Sequence, residues 1–315
     1  MEEATLRRGA VIALAVLALL PPLLIALGEP FYLGVVSRMM IFAIAAISLD
    51  LILGFGGMVS FGHAVYLGIG GYTVAILSHH GITDGFVHFG AAIVISGLAA
   101  ALIGAVSLRT SGVFFIMITL AFSQMIYFLA ISVNAYGGDD GLAFRKASDF
   151  GLNLRDPATF YYVVLAALAV FLWLGGRVVN SRFGMLIRAT KFNESRMTAV
   201  GFPTFRYKLT MFVIAGAMCG FAGALLANLT LFMSPSIMHW SRSGDLLIMV
   251  IAGGMGTLLG PVLGAVLYLI LEQLLSTWTV YWPALVGVSL VALVLLGKRG
   301  LLGFVTGGRR SAVHG

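Results

Sequence analysis

Long apolar runs constrain the fold of this chain more than any other feature of its sequence. Examples are FFIMITLAFSQMIYFLAISV at 114–133 and MFVIAGAMCGFAGALLANLTLFM at 211–233. A run of about 20 apolar residues is long enough to cross the hydrocarbon core of a bilayer as a helix. Because 60% of the residues are hydrophobic and only 10% are charged, the chain has too little polar surface for a water-soluble globule. The sequence therefore predicts an all-α, polytopic membrane helix bundle of about 8–10 spans.

The apolar runs predict a single transmembrane domain over residues 1–315. We place its crossings at 10–27, 33–54, 63–79, 89–107, 112–133, 159–176, 208–232, 244–254, 261–275 and 283–297. The first run follows two arginines, as in a cleaved signal peptide, but the many spans after it favour an uncleaved helix. The pieces 244–254 and 261–275 are both short for a full span, and we expect them to form a re-entrant pair.

The distribution of basic residues predicts the orientation of the domain. If the N-terminus is cytoplasmic, 14 of the 19 basic residues fall on the cytoplasmic side. They are Arg7, Arg8, Arg109, Arg177, Arg182, Arg188, Lys191, Arg196, Arg206, Lys208, Lys298, Arg299, Arg309 and Arg310. Cytoplasmic loops carry an excess of lysine and arginine, so we expect both termini to be cytoplasmic. The loop at 134–158 is then periplasmic, and the loop at 177–207 is cytoplasmic.

Glycine interrupts two of the apolar segments, one in each half of the chain. They are LILGFGGMVSFGHAVYLGIGGYTVAIL at 51–77 and LLIMVIAGGMGTLLGPVLGAVLYLIL at 246–271. Non-helical backbone at membrane depth is tolerated only where protein buries it or where it lines a wet cavity, and paired interruptions indicate a transport pathway. We therefore expect a translocation pathway at these segments. Its candidate residues are Asp50, Gly57, Ser60, Gly62, His63, Gly254 and Thr257.

Two ionisable residues flank the first interruption. Asp50 either takes part in the pathway, as carboxylates inside a membrane often do, or hydrogen-bonds the glycine-rich backbone that begins four residues later. His63 is expected to hydrogen-bond the interrupted backbone. A proton-coupled carrier would instead place acids and histidines in several spans, and the sequence does not have that pattern.

Several kinds of chemistry lack the residues that they need. The sequence has no GxxxxGK[ST] string for binding ATP, no HExxH or comparable metal spacing and no G-x-S-x-G nucleophile elbow. Its one cysteine, Cys219, permits neither a disulfide framework nor a cysteine zinc site. We attribute the net charge of +7 to the basic residues on the cytoplasmic side and not to a surface that binds nucleic acid. We expect no cofactor, metal or nucleic acid on this chain and no enzymatic activity.

One charged stretch, NSRFGMLIRATKFNESRMTAVG at 180–201, interrupts the apolar sequence on the predicted cytoplasmic side. Asn193 is suited to cap a helix that begins at Glu194. Gly201 is suited to follow the end of that helix, and Pro203 prevents its continuation. The pattern predicts a short helix of about seven residues, which would be marginal in water by itself.

A short helix of this kind needs a surface to lie against. Met197 and Val200 are one turn apart and would give it a small apolar face. We favour docking to a cytoplasmic partner, because capping and stop residues mark both ends of the predicted helix. The alternative is that the basic residues only orient the chain by the positive-inside rule.

The predicted periplasmic loop at 134–158 is long, polar and of mixed charge. It is suited to receive a soluble partner. A solvated connector explains the same composition equally well.

Five ordered sequence blocks resemble one protein family. They are SLDLILGFGGMVSFGHAVYLGIGGYTVAIL, SGVFFIMITLAFSQMIYF, YGGDDGL, NESRMTAVGFPTFRYKLTMFVIAGAMCGFAGAL and LLIMVIAGGMGTLLGPVLGAVL. In this order they resemble the LivM-type permease subunit of branched-chain amino acid ABC importers, over residues 35–275. The resemblance implies that the chain forms half of a translocation pathway for branched-chain amino acids or a related small amphiphile. Other members of the family carry urea, short amides or aromatic acids.

The resemblance also implies a set of partners in the bacterial inner membrane. They are a LivH-like permease, two LivG/LivF-like ATPase subunits and a substrate-binding protein. ATP and Mg²⁺ would then act through the ATPase subunits. The alternative left open by the residues themselves is a self-sufficient secondary transporter or channel for small solutes, and a membrane enzyme is weaker still.

In such importers a short cytoplasmic coupling helix seats in the ATPase. The positions that match its pattern here are Glu194, Ala199 and Gly201, while Ser195 stands where the pattern usually has alanine. The residues that we expect to couple to the ATPase are Glu194, Ser195, Arg196, Met197, Ala199 and Gly201.

Overall fold

The computed structural model describes residues 17–22, 31–151 and 154–288. The helices are α1 (Phe31–Asp50), α2 (Ala64–His79), α3 (Gly85–Ser107), α4 (Val113–Ser132), α5 (Pro157–Asn180), α6 (Arg182–Phe192), α7 (Glu194–Ala199), α8 (Thr204–Thr230), α9 (Trp240–Gly253) and α10 (Gly260–Trp278). Short strands β1 (Leu142–Ala143) and β2 (Phe232–Met233) pair with each other. The predicted all-α class is confirmed. Helical residues also occupy 17–22 and 282–288, and the rest of the predicted crossings 10–27 and 283–297 lies outside the described residues.

Within the described ranges, six helical segments are long and apolar enough to cross a membrane. They are the segment Phe31–Phe55, which extends α1, and the helices α3, α4, α5, α8 and α10. Helix α2 is apolar but shorter, with 16 residues. The chain is therefore a multi-pass membrane protein.

Helix α1 lies at the centre of the bundle, and its residues 39–50 are all buried. Helix α8 packs along α2 and α3 at positions where glycine lets the backbones approach. A Cβ added to Gly216 would overlap the Ala100 methyl group, and one added to Gly220 would overlap the Ser96 side chain. Small residues at this spacing therefore let α8 and α3 pack closely. Helix α4 lies at the edge, with only three of its residues buried.

The helices around the second interruption differ from the prediction. Helix α9 has 14 residues and α10 has 19, so α10 is about 28 Å long at 1.5 Å per residue. The expectation that both pieces are too short to cross is therefore wrong for α10. The helix continues past the predicted end through Ser276, Thr277 and Trp278. Its residue Glu272 pairs with Arg38 of α1 at 3.3 Å.

The described part of the loop 134–158 packs partly onto the rest of the chain, although many of its residues are exposed. Strand β1 pairs antiparallel with β2, and Phe144, which is buried, donates its N–H to Leu231 O at 3.1 Å. Ser148 N donates to Asn228 Oδ1 at 2.7 Å. The loop is thus folded over the end of α8. Its role in receiving a soluble partner stays a prediction.

Polar caps define both ends of α5. Asp156 accepts hydrogen bonds from Thr159 Oγ1 at 2.7 Å and Thr159 N at 3.0 Å, and these bonds hold the pKa of Asp156 below its usual range. At the other end, Ser181 Oγ accepts from Gly184 N at 3.2 Å and begins α6. A membrane helix therefore leads into the inner loop through a single residue.

Candidate functional site

The first interruption begins where α1 ends. Asp50 is followed by a π-helical turn, Leu51–Phe55, in which Met58 N donates to Ile52 O at 2.8 Å. Gly57 then takes a φ of +71°, a conformation that favours glycine. The chain runs without regular structure to α2, so the predicted break in the helix is confirmed.

The second interruption lies between α9 and α10. Gly254 has a φ of +117° and Gly256 a φ of +75°, which residues with side chains rarely adopt. Thr257 Oγ1 donates to Gly254 O at 2.7 Å and accepts from Gly260 N at 3.1 Å. Thr257 therefore stabilises the turn that reverses the chain into α10.

The two interruptions meet each other inside the protein. Asp50, which is only 1% exposed, accepts a hydrogen bond on Oδ1 from Gly256 N at 2.9 Å. A Cβ added to Gly54 would overlap both the Asp50 carboxylate and Gly256 N. Of the two interpretations of Asp50, hydrogen bonding to the backbone four residues later is not observed, and its role in the pathway stays a prediction. The donor, Gly256 N, belongs to the other half of the chain and lies just beyond the end of α9.

His63, Ser60 and Gly62 lie in a second cluster. His63 Nε2 is 2.8 Å from Ser48 Oγ, so the expected bond from its ring to the interrupted backbone is wrong, and the ring contacts the side chain of α1 instead. Ser60 Oγ accepts from Gly62 N at 3.3 Å. A Cβ on Gly62 would lie 2.6 Å from a carbonyl oxygen of α4, and this cluster therefore closes the packing between α1, α2 and α4.

Lys191 connects the inner loop to the first interruption. It stands in the last turn of α6 and donates its ammonium Nζ to Gly54 O at 2.6 Å. A Cβ on Gly57 would lie 2.9 Å from Lys191 Cγ, so the lysine stem passes directly over that glycine. From the sequence we gave Lys191 only an orienting role. No local pattern indicates the contact, because its partner is 137 residues away.

Helix α7 confirms the predicted short helix in the inner loop. Asn193 Oδ1 accepts from Arg196 N at 2.9 Å and caps the helix, and Gly201 has a φ of +98° just beyond its end. Glu194 Oε2 accepts from Lys208 Nζ of α8 at 2.5 Å. The helix has six residues, one fewer than expected.

The surface around α7 is exposed and partly apolar. None of its own residues is buried. Next to it, Phe192 is 87% exposed and Val200 is 68% exposed, while Met197 is half-buried. Exposed large apolar side chains on a polar loop are candidates for an interaction surface. We call Phe192, Met197 and Val200 the docking patch.

A cavity of 530 Å³ lies at the opposite end of α9 from the second interruption. Its polar side is built from Arg242 and Asp245, whose Nη1 and Oδ2 are 3.2 Å apart, and from Tyr268, whose hydroxyl donates to Asp245 Oδ1 at 2.7 Å. Its apolar side includes Ile248 and Trp282. Small-molecule sites commonly combine such walls with a few convergent polar groups.

The comparisons with known proteins agree with this architecture. Residues 31–296 match the family model described as branched-chain amino acid transport system / permease component. The chain belongs to this family. Over 92% of its length the permease is 28% identical to the high-affinity branched-chain amino acid transport system permease protein LivM of Escherichia coli, of which it covers 74%.

More distant relatives have related names. The permease is 24% identical to the probable LivM of Methanocaldococcus jannaschii, over 76% of this chain and 79% of that protein. It is also 24% identical to the L-arabinose ABC transporter permease protein AraH of Azospirillum brasilense, over 55% of this chain and 52% of that protein. No solved structure matches the chain. The chain is thus a permease subunit of an ABC importer.

Proposed function

We propose that this permease forms half of a translocation pathway for branched-chain amino acids in a bacterial inner membrane. A LivH-like permease would supply the other half, two LivG/LivF-like ATPases the hydrolysis of ATP with Mg²⁺, and a binding protein the substrate. The names of the relatives support the substrate class. No catalytic residue is assigned to this chain.

The observation that carries this proposal is the capped helix α7 with its docking patch. Phe192 and Val200 expose apolar surface beside a helix too short to be stable in isolation. A groove on a cytoplasmic ATPase would bury that surface. We assign the contact with the ATPase to Glu194, Ser195, Arg196, Met197, Ala199 and Gly201.

The charges of the inner loop support a cytoplasmic position for α7. Helices α6 and α7 and the start of α8 carry Arg182, Arg188, Lys191, Arg196, Arg206 and Lys208 against a single acid, Glu194. Loops of this composition stay on the cytoplasmic side. The termini are then cytoplasmic, and the cavity near Arg242 opens toward the periplasmic side.

The cavity itself supports a small zwitterionic amphiphile. Arg242 would bind a carboxylate, for which a guanidinium has the matching geometry, and Asp245 would bind an ammonium group. The apolar wall at Ile248 and Trp282 would cover an aliphatic side chain. The inner end of the pathway is then formed by Asp50, Gly57, Gly254 and Thr257.

The proposal is tested by purifying the tagged permease from its native membrane and identifying the proteins that accompany it. We expect ATPase subunits and a second permease. In proteoliposomes the complex should import leucine only with ATP and the binding protein. Purification without any ATPase, together with uptake by the chain alone under an ion gradient, would establish the secondary transporter instead.

A further inference from the structure

Gly54 O needs a donor because of the way α1 ends. In the π-helical turn Met58 N donates to Ile52 O, and Gly57 N donates to Leu53 O at 3.0 Å, so neither amide serves Gly54. A buried carbonyl without a donor is costly. Lys191 supplies the donor from outside the turn, at 2.6 Å, and a charged donor makes the stronger kind of hydrogen bond.

The same ammonium group acts on Asp50. The carboxylate is buried, and among the described residues its Oδ2 has no hydrogen-bond partner. Lys191 lies close enough to interact with it electrostatically. A buried carboxylate is stable only when nearby charge and hydrogen bonds compensate for lost water. Lys191 therefore bonds the carbonyl of the first interruption directly and adds a positive charge near Asp50, whose side chain bonds the second interruption.

These contacts leave little freedom between the parts. Gly54 and Gly256 touch through their backbones, and the stem of Lys191 lies on Gly57. Lys191 is followed closely by Asn193, the cap of α7. Any displacement of α7 that moves the end of α6 must therefore stretch the bond to Gly54 or carry the two interruptions with it.

We infer that Lys191, acting with Asp50, is a positioning residue that transmits movement of the docking helix to both interruptions of the pathway. This inference rests on the proposed docking of α7 to an ATPase. Lys191 and Asp50 form the joint between the inner loop and the pathway. In this joint Lys191 Nζ holds Gly54 O, and Asp50 Oδ1 holds Gly256 N. Without Lys191, the ATPase still docks and hydrolyses ATP, but the movement of α7 is no longer transmitted to the two interruptions.

The test uses the complete importer in proteoliposomes with the Lys191→Met variant, which keeps the stem and removes the donor. We expect co-purification of the ATPase and its basal hydrolysis to stay unchanged. Leucine taken up per ATP should fall by about tenfold, within the usual range of coupling energies. Lys191→Arg should recover much of the ratio. Arg182→Met is the matched control at the other end of α6 and should retain the wild-type uptake of leucine per ATP.

A chemical rescue separates this role from a role in folding. The native chain has one cysteine, Cys219, which is buried, so Lys191→Cys can be aminoethylated with 2-bromoethylamine after reconstitution. The product carries an ammonium at the distance of lysine, and we expect coupling to return. Equal uptake per ATP in wild type, Lys191→Met and Arg182→Met would overturn the inference, as would a loss that aminoethylation leaves unchanged. Absence of ATPase from the wild-type complex would instead refute the proposed function.

Discussion

The ammonium of Lys191 lies 2.6 Å from the carbonyl oxygen of Gly54, although the two residues are 137 positions apart in the chain. One belongs to a polar loop and the other to the end of a buried membrane helix. The bond brings the inner loop and the first interruption together at the point where Asp50 also holds the second.

Loss of the cap at Asn193 should weaken docking. Asn193→Ala removes the acceptor for Arg196 N, and such caps contribute about 0.5–2 kcal/mol to a helix. We expect less ATPase to co-purify with the variant. Quantitative immunoblotting of the purified complex measures the effect.

Asn193→Ser is the control, because serine also caps helices well. It should retain most of the ATPase. Equal recovery with alanine and serine would show that the cap does not support docking.

Replacement of Gly201 by valine should separate hydrolysis from uptake. Gly201 has a φ of +98° and open space around it, so the cost comes from the backbone conformation, roughly 1–2 kcal/mol. The strain shifts the end of α7. Uptake per ATP in proteoliposomes should fall, while the yield of membrane-inserted protein stays normal.

Gly81→Val provides a matched control for Gly201→Val. Gly81 has a φ of +83° and is likewise in open space, but it lies beyond the end of α2 and far along the chain from α7. The prediction is wrong if both variants lower uptake per ATP to the same extent.

A methyl group at Gly54 should destabilise the contact between the two interruptions. The Cβ of Gly54→Ala would overlap the Asp50 carboxylate and Gly256 N, and overpacking of this kind costs about 1–3 kcal/mol. We expect a lower melting temperature in detergent together with reduced uptake.

Gly34→Ala is the corresponding control within α1, because no atom lies within 4 Å of the added Cβ. It should melt like the wild type. A Gly54→Ala variant with unchanged melting and uptake would contradict the tight contact.

Arg242→Met should raise the KM for leucine with little change in hydrolysis of ATP. A hydrogen bond to a charged group contributes about 1.5–3 kcal/mol, which corresponds to a rise in KM of roughly tenfold or more. Uptake at graded concentrations of leucine-loaded binding protein measures it.

Arg38→Met is the control for Arg242→Met, since Arg38 pairs with Glu272 and neither residue lines the cavity. Its KM should stay near the wild-type value even if its stability falls. An unchanged KM in Arg242→Met would remove the cavity from the pathway.

Features that depend on neighbouring residues could be predicted from the sequence. The helix α7 follows from Asn193, Gly201 and Pro203, because caps and stops act within a few residues. The spans follow from the lengths of apolar runs. The glycine-rich interruptions follow from a residue type that disfavours regular helix.

Features that depend on distant residues could not be predicted. Asp50 meets Gly256 across 206 positions, and nothing near Asp50 indicates that partner. Glu272 of α10 pairs with Arg38 in another helix, and no local pattern indicates that pair. The loop at 134–158 is held at the end of α8 by hydrogen bonds from Phe144 N and Ser148 N. In each case the contact depends on tertiary packing, which the local composition does not indicate.

Helix α9 places Arg242 in its first turn and ends at the turn that contains Gly254 and Gly256. With 14 residues it is a rod about 21 Å long. The end of α9 that would contact the cargo and the end that joins the second interruption are thus at opposite ends of one helix. A substitution among the cavity residues in the first turn of α9 is therefore about one helix length away from the turn that contains Gly254 and Gly256.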